Sequence, residues 1–443
     1  MKDSRYFMIQ GAVILLFVAL STAVAVQAAE LNESPEVTLL REAGGGKLYE
    51  VGGQKMLVME GCAEEMGYQQ GLLLSKEIRH IMLEGYMNNS LWNKGYSKEY
   101  VQAQSDRMEK FFPDSIREEL QGMVKGLKEA GVDELSYEDL RLGITQAEIL
   151  HFPPDGAPAC SNFACWGKWT SDGRLLHGRN LDWSIKGGAQ DDHIIMVWRP
   201  SGGIPFMMVG WAGGVGSVTG MNSQGITLGE MTLPSPDVTF DGMPLFLQMR
   251  LCLEQCGTLE EAVQFFQKCP RTTGWNFIIG DSKIPDGRAL ETDAKYCTAF
   301  APMDPKETDA TAHRGMVDAV RRTNHPAGLE QLLRLAAAFG REYGIEISSQ
   351  EEIEAAKPLL MANDSWQRYD WISREIERQP GKMDVKEAVE ILGSGPVQAS
   401  NTLHSCVFDP QNKAIWVANA ANNPPVPAWK FPYVLFDLSP WFD

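Results

Sequence analysis

The sequence predicts an α+β chain whose helices precede and interrupt strands packed as two sheets. Three observations carry this. Residues 62–150 hold apolar side chains at helical spacing. From Cys160 onward the pattern changes to short extended runs with helical runs set between them. Between the two lies His151–Ala159, where Pro153, Pro154, Gly156 and Pro158 oppose regular structure, because proline fixes φ and glycine frees it. With 443 residues, 44% of them hydrophobic and 22% charged, the chain has an ordinary globular composition. It is long enough for a large core in one domain or two.

Taken in order, Lys2 and Arg5 precede an apolar run over residues 11–20. Val26-Gln27-Ala28 then resembles a small-residue processing site before Ala29. Residues 1–28 therefore read as a secretory signal peptide, and the protein as exported, periplasmic or extracellular. The rival is an uncleaved anchor, since Phe7 to Ala29 is just long enough to span a bilayer. That anchor is the one membrane attachment expected. A strand pair around Lys47–Gly61 turns at Gly52-Gly53. Three helices follow. Met66–Tyr86 carries Leu72, Leu73, Ile78, Ile81 and Met82. Asp114–Gly131 has a Ser115…Glu118 capping box and an apolar face of Ile116, Leu120, Met123, Val124 and Leu127. Ser136–Leu150 opens with the weaker pair Ser136…Asp139. The extended runs are His193–Trp198, Pro205–Trp211, Gly225–Thr232, Gly274–Asp281, Ala289–Thr292, Thr402–Phe408 and Ala414–Ala420. Helices interrupt them at Thr258–Lys268, Gly328–Phe339, Ser365–Arg378 and Asp384–Leu392.

A formal net charge of −18 argues against a nucleic-acid or anionic-lipid partner bound through a general field. The 8 cysteines permit disulfides in an exported chain, but their spacing is not that of a framework. Cys252 and Cys256 stand four apart on an expected helix, a poor disulfide geometry; most of the eight read as small buried hydrophobes. The histidines are scattered, without H-E-x-x-H or paired C-x-x-C, so no metal site is expected. Gly213-Gly214-Val215-Gly216 lacks the Lys-Ser/Thr of a phosphate loop and reads as close backbone approach. Asp191-Asp192 reads as a solvated turn. Trp183, Trp211, Trp275 and Trp366 suit the lining of an apolar pocket or plain core equally well.

The chemistry gathers at Cys160, directly after the Pro/Gly connector. It heads an extended run to Trp169. A turn at Ser171-Asp172-Gly173 leads into a second run that ends at Arg179 and Asp182. A hairpin brings its ends together, and a thiol beside a cation and a carboxylate is a nucleophile's setting. If the turn closes a simple hairpin, strand alternation puts Cys160 and Asp182 on one face and Cys165, the rival nucleophile, on the other. Arg179 then has the wrong parity and needs a bulge, at Gly178 for instance. A chain cut between Ala159 and Cys160 would give Cys160 a free α-amine. Such an amine titrates near ~8 and could serve as base for the adjacent thiol, so His177 is not required.

The run Cys160-Ser161-x-Phe163-Ala164-x-Trp166-Gly167, then Asp172-Gly173, then His177-Gly178-Arg179-Asn180-Leu181-Asp182-Trp183 resembles the acyl-coenzyme A:6-aminopenicillanic acid acyltransferase family. This is a family of N-terminal nucleophile hydrolases related to choloylglycine hydrolases and penicillin V acylases. Gly61…Gly67-Tyr68-x-x-Gly71, Gly220-Met221-Asn222-x-x-Gly225, Arg322-Thr323-Asn324-His325-Pro326 and Thr402-Leu403-His404-Ser405…Phe408-Asp409-Pro410 extend the likeness over most of the chain after residue 28.

The resemblance implies a four-layer αββα sandwich. A mainly helical pro-segment or small subunit, 29–159, would precede a catalytic chain, 160–443, and the two would stay associated after processing. It implies that Cys160 is the nucleophile of both autoproteolysis at Ala159-Cys160 and hydrolysis. Arg179 would favour its thiolate, Asp182 would hold the α-amine, Asn324 would donate to the oxyanion, and Arg368 would be a second active-site arginine. It implies a small N-acyl substrate with a linear non-peptide amide bond, and no cofactor. Two departures stand out: Thr232 where related hydrolases often place Asn or Tyr as a second oxyanion donor, and Ala159-Cys160 where the family's scissile bond is commonly Gly-Cys. Whether hydrolysis or acyl transfer follows stays open. So do an ester- or phospholipid-cleaving variant of the same machinery and a non-catalytic binding protein on a degenerate fold.

Overall fold

The computed structural model describes residues 30–150, 159–185, 188–307, 314–343 and 347–442. The signal-peptide reading of 1–28 and the connector 151–158 lie outside them. The chain opens with strands β1 (Leu31–Asn32), β2 (Val37–Ala43), β3 (Gly46–Val51) and β4 (Gln54–Gly61). Gly52 and Gly53 turn β3 into β4 with φ of 55° and 84°, as expected of a turn that needs positive φ. Helices α1 (Ala63–Leu73) and α2 (Ser75–His80) lead into a π-helical Ile81–Leu91, followed by α3 (Lys98–Glu109), α4 (Asp114–Glu129) and α5 (Tyr137–Ile149). Beyond the connector come β5 (Ala159–Cys165), β6 (Leu176–Asp182), β7 (His193–Pro200), β8 (Phe206–Trp211), β9 (Thr219–Asn222) and β10 (Ile226–Thr232). Next are α6 (Leu245–Gln255), α7 (Leu259–Lys268), β11 (Trp275–Asp281), β12 (Asp286–Thr292), β13 (Cys297–Phe300) and β14 (Ala319–Arg322). Helices α8 (Leu329–Tyr343), α9 (Gln350–Met361), α10 (Asp364–Glu377) and α11 (Val385–Leu392) precede the closing strands β15 (Thr402–Asp409), β16 (Ala414–Asn419) and β17 (Tyr433–Asp437).

The strands form a seven-stranded sheet, β1-β17-β16-β15-β6-β5-β14, and a ten-stranded sheet, β13-β12-β11-β10-β9-β8-β7-β4-β3-β2. The two pack face to face. Val58, Ile195, Val197, Met207 and Val209 of the larger sheet meet Cys406, Phe408, Ile415, Val417 and Val434 of the smaller. The outer face of the larger sheet, with Leu57, Met59, Met196 and Trp198, is covered by α1, α4, α6 and α7 through Met66, Leu120, Met123, Leu253 and Phe266. The outer face of the smaller sheet, with Phe163, Cys165, Leu176 and Val407, is covered by Ile372, Ile376, Val389 and Leu392 of α10 and α11. Each such buried side chain contributes roughly 1.5–3 kcal/mol. The result is the αββα sandwich the resemblance implied.

The stretch expected as mainly helical, 29–159, is helical from Ala63 to Ile149, but it begins with strands that enter both sheets. Strand β4 pairs in parallel with β7, and β1 pairs in parallel with β17. The two regions are therefore woven into each other. Asp191-Asp192 also departs from its reading as a solvated turn: Asp192 is buried and lies 2.6 Å from His80 Nδ1 of α2. Gly216 fits the expected close approach, since a Cβ there would stand 2.3 Å from the Phe246 carbonyl.

Candidate active site

Strands β5 and β6 form the expected hairpin, in a register of opposite parity to the simple one. Cys160 pairs with Leu181, and Ala159 with Asp182. The connection 166–175 is pinned to Met383, which accepts from Ser171 N and donates to the Trp169 carbonyl. That pinning displaces the register a bare Asp172-Gly173 turn would set. Parity therefore corrects the expectation. Arg179, not Asp182, shares the face of Cys160, and no bulge at Gly178 is needed. Cys165 faces the other way, into the α10–α11 layer.

Cys160 is held at both of its backbone polar groups. Its N–H donates to Asn324 Oδ1 at 2.8 Å, and its carbonyl accepts from Arg368 Nη1. Arg368, on α10, also donates to Ser161 Oγ at 3.1 Å and to Asn324 Oδ1 at 3.0 Å. Its Nε donates to Asp364 at 2.8 Å. Asn324 follows β14, which pairs with β5. Its Nδ2 donates to the Thr232 carbonyl at 2.9 Å, so Thr232 faces Asn324 through its backbone. On the other side of Cys160, Arg179 is fully buried and donates to Thr219 Oγ1 at 2.6 Å and to the Glu230 carbonyl at 2.8 Å. Asp182 is also fully buried. Its Oδ1 accepts from Thr402 Oγ1 at 2.7 Å, while Oδ2 has no partner among the described residues.

A β-bulge sorts two of these partners. Strand β15 pairs Thr402 with Asp182 and His404 with Leu181, with a register shift between them. Without the shift, residues two apart would share a face. With it, Thr402 reaches Asp182 while His404 reaches the face of Arg179.

Burial governs the charges. It pushes the Cys160 thiol up to about 12; Arg179 works against this, Glu230 and Asp182 add to it, and the Asp182 backbone N–H opposes it. Burial likewise raises Asp182 to about 6 and Glu230 to about 7. His177 sits between Thr227 Oγ1 (2.7 Å) and Asn162 Oδ1 (2.6 Å). Burial, then Arg179, lowers it to about 3, so it is a neutral structural link. Glu230 is the residue that sequence reading passed over. It is the one charged side chain in Gly225–Thr232, and a lone acid in a buried strand was the available signal. Among the described residues no cluster of three or more His, Cys, Asp and Glu could hold a metal ion.

Residues 169–424 match the family described as acyl-coenzyme A:6-aminopenicillanic acid acyl-transferase. The chain is 27% identical over 304 residues to an uncharacterized protein of Archaeoglobus fulgidus, covering 63% of this chain and 49% of that protein. It therefore spans about half the length of that relative. It is 22% identical over 439 residues to protein dcd1B of Dictyostelium discoideum, covering 92% of this chain and 79% of that one. Among solved structures it is similar to a Caenorhabditis elegans N-acylethanolamine-hydrolyzing acid amidase ortholog: TM-score 0.39, 17% identity, 57% of this chain and 93% of that chain. It is also similar to a conjugated bile acid hydrolase from Clostridium perfringens: TM-score 0.37, 12% identity, 63% of this chain and 93% of that chain.

Proposed function

The chain belongs to the acyl-coenzyme A:6-aminopenicillanic acid acyl-transferase family, and from that premise we propose that it is a self-processing cysteine amidohydrolase or acyltransferase acting on linear non-peptide amides. The observation that supports this most is the double hold on Cys160, Asn324 on its N–H and Arg368 on its carbonyl, with Arg179 on the face of its thiol. In processing, Cys160 Sγ attacks the Ala159 carbonyl, and the Cys160 nitrogen leaves as a free α-amine. Water then hydrolyses the thioester between Ala159 and Sγ. In turnover the α-amine takes the thiol proton, and the thiolate attacks an acyl carbonyl. The substrate amine departs with a proton, and water or a second amine releases the acyl group.

Arg179 favours the thiolate, and Asp182 Oδ2 is available to the α-ammonium. Asn324 Nδ2 turns from the Thr232 carbonyl to the oxyanion, a contact worth ~3 kcal/mol. No cofactor takes part. Export through residues 1–28 belongs to the same proposal. The shared sheets keep the two processed chains together, because β1 and β4 are paired with strands of the other chain.

Intact-mass measurement of wild type and Cys160→Ala tests it. The wild type should give two chains, one beginning at Cys160 and the other, when exported, at Ala29. The variant should stay in one piece. A Cys160→Ala protein that is still cut, or an uncut wild type that hydrolyses N-acyl amines through Cys165, sinks the assignment.

A further inference from the structure

A guanidinium holds its geometry only where its fork of N–H groups is met. In Arg179, Nη2 donates to the carbonyl and Oε2 of Glu230 at 2.8 and 3.4 Å. Nη1 donates to Thr219 Oγ1 at 2.6 Å and faces His404 Nε2 at 3.1 Å. The Thr219 hydroxyl, having accepted from Arg179, still has its own proton to give, and His404 Nε2 lies 2.9 Å away. Both polar neighbours of this nitrogen are donors, so it must present a lone pair. The tautomer with its proton on Nδ1 is the one that fits. An imidazolium would set N–H against N–H.

The surroundings keep the ring neutral. Burial first, then Arg179 and His193, hold His404 well below the usual histidine range. The groups facing it are Arg179 from β6, Thr219 from β9, His193 from β7 and Trp211 from β8, with ring centroids of the last two 5.6 and 6.2 Å away. Glu230 of β10 lies beyond Arg179, and Cys406 is two residues along β15. The bulge between Thr402 and His404 is what turns His404 onto this face.

We propose that His404 is a positioning residue, a neutral acceptor locked in one tautomer by Thr219 that fixes the Arg179 guanidinium beside Cys160. The proposal rests on the reading of Cys160 as nucleophile. It says that position 404 needs an acceptor rather than a base.

The test is the rate at which iodoacetamide alkylates Cys160, followed on its peptide by mass spectrometry from about pH 6 to about pH 10, on the rising limb below the thiol's own value, where the rate scales with the thiolate fraction. His404→Leu should slow alkylation near neutral pH roughly tenfold by moving the limb upward. His404→Gln, whose amide oxygen can accept from Arg179, should stay within about threefold of wild type. Thr219→Val should fall between them. A His404→Leu limb that coincides with wild type overturns the proposal, as does a loss equal in the Gln and Leu variants. Should His404→Leu not fold, Thr219→Val decides: reactivity equal to wild type rejects the idea. Alkylation is compared only between chains in the same state, all cut or all uncut by intact mass, so failed self-processing counts against the nucleophile reading and not against the role of His404.

Discussion

Glu230 carries a charge whose field works against the Cys160 thiolate. It adds to the upward shift of the Cys160 thiol that burial begins and that Arg179 resists. Glu230→Gln keeps an oxygen that can accept from Arg179 while removing the negative charge. The Cys160 thiolate should therefore form at lower pH, and alkylation near pH 7 should rise several-fold, roughly tenfold for each whole step in thiol pKa. An unchanged or slower rate would mean that Glu230 acts mainly by holding Arg179. At this scale the sequence was legible in identity and not in geometry. Cys160, Arg179 and Asp182 could be named from the run that carries them. The side of the strand on which Arg179 lies could not, because Met383, far along the chain, pins the connection 166–175 and so sets the register. Non-local contacts of that kind leave no trace in the spacing of Ser171-Asp172-Gly173.

Among the elements, the glycines of the first helical layer show what a sequence motif was for. Gly67 and Gly71 on α1 face Gly122 and Gly126 on α4. A Cβ at Gly67 would stand 1.8 Å from the Glu119 carbonyl oxygen, and one at Gly71 would stand 2.2 Å from that of Met123. Reciprocally, a Cβ at Gly122 would meet the Glu64 oxygen at 2.0 Å and one at Gly126 the Tyr68 oxygen at 2.3 Å. The helices cross backbone on backbone, so the obstructing atoms cannot swing away as a side chain could. Gly71→Ala should cost about 1–3 kcal/mol, the usual range for overpacking, seen as a lower midpoint in urea. Gly131→Ala, where nothing lies within 4 Å but φ is 83°, would cost through backbone strain instead. A Gly71→Ala midpoint equal to wild type would mean that the crossing loosens freely. Long periodic elements such as Asp114–Glu129 were legible because their apolar face repeats. Short strands such as β14, which delivers Asn324, were not: Ala319–Arg322 is a four-residue strand ending in two arginines, and its burial depends on β5 beside it.

The whole molecule adds a pH dependence that no single motif carries. Burial raises Asp182 to about 6, Glu230 to about 7 and Glu148 to about 8, and it lowers His177 and His193 to about 3. An acid whose folded value is raised binds more protons folded than unfolded between its two values. Its stabilising contribution is complete below its unfolded pKa and is lost as pH rises through the folded one. A histidine whose folded value is lowered does the reverse: its contribution is complete above its unfolded pKa and is lost as pH falls. Between about pH 4.5 and about pH 6.5 the two sets oppose each other. Above that only the acids change, and below it the histidines dominate.

Glu148 should dominate the alkaline side. It sits on α5 of the helical part, yet its Oε1 accepts from Leu245 N at 2.6 Å and from Thr272 Oγ1 at 3.1 Å, both in the region beyond Cys160. The uncut Cys160→Ala protein should therefore melt highest between about pH 4.5 and about pH 6.5 and lose several degrees by about pH 8.5. Glu148→Gln should flatten the alkaline limb and leave the acidic limb in place. Thermal unfolding across that range checks both limbs, and an alkaline limb that is equally steep with Gln at 148 would place the buried charge elsewhere. The outcome reaches beyond stability, because the carboxyl that joins α5 to the region beyond Cys160 would then be the group whose ionisation loosens that contact.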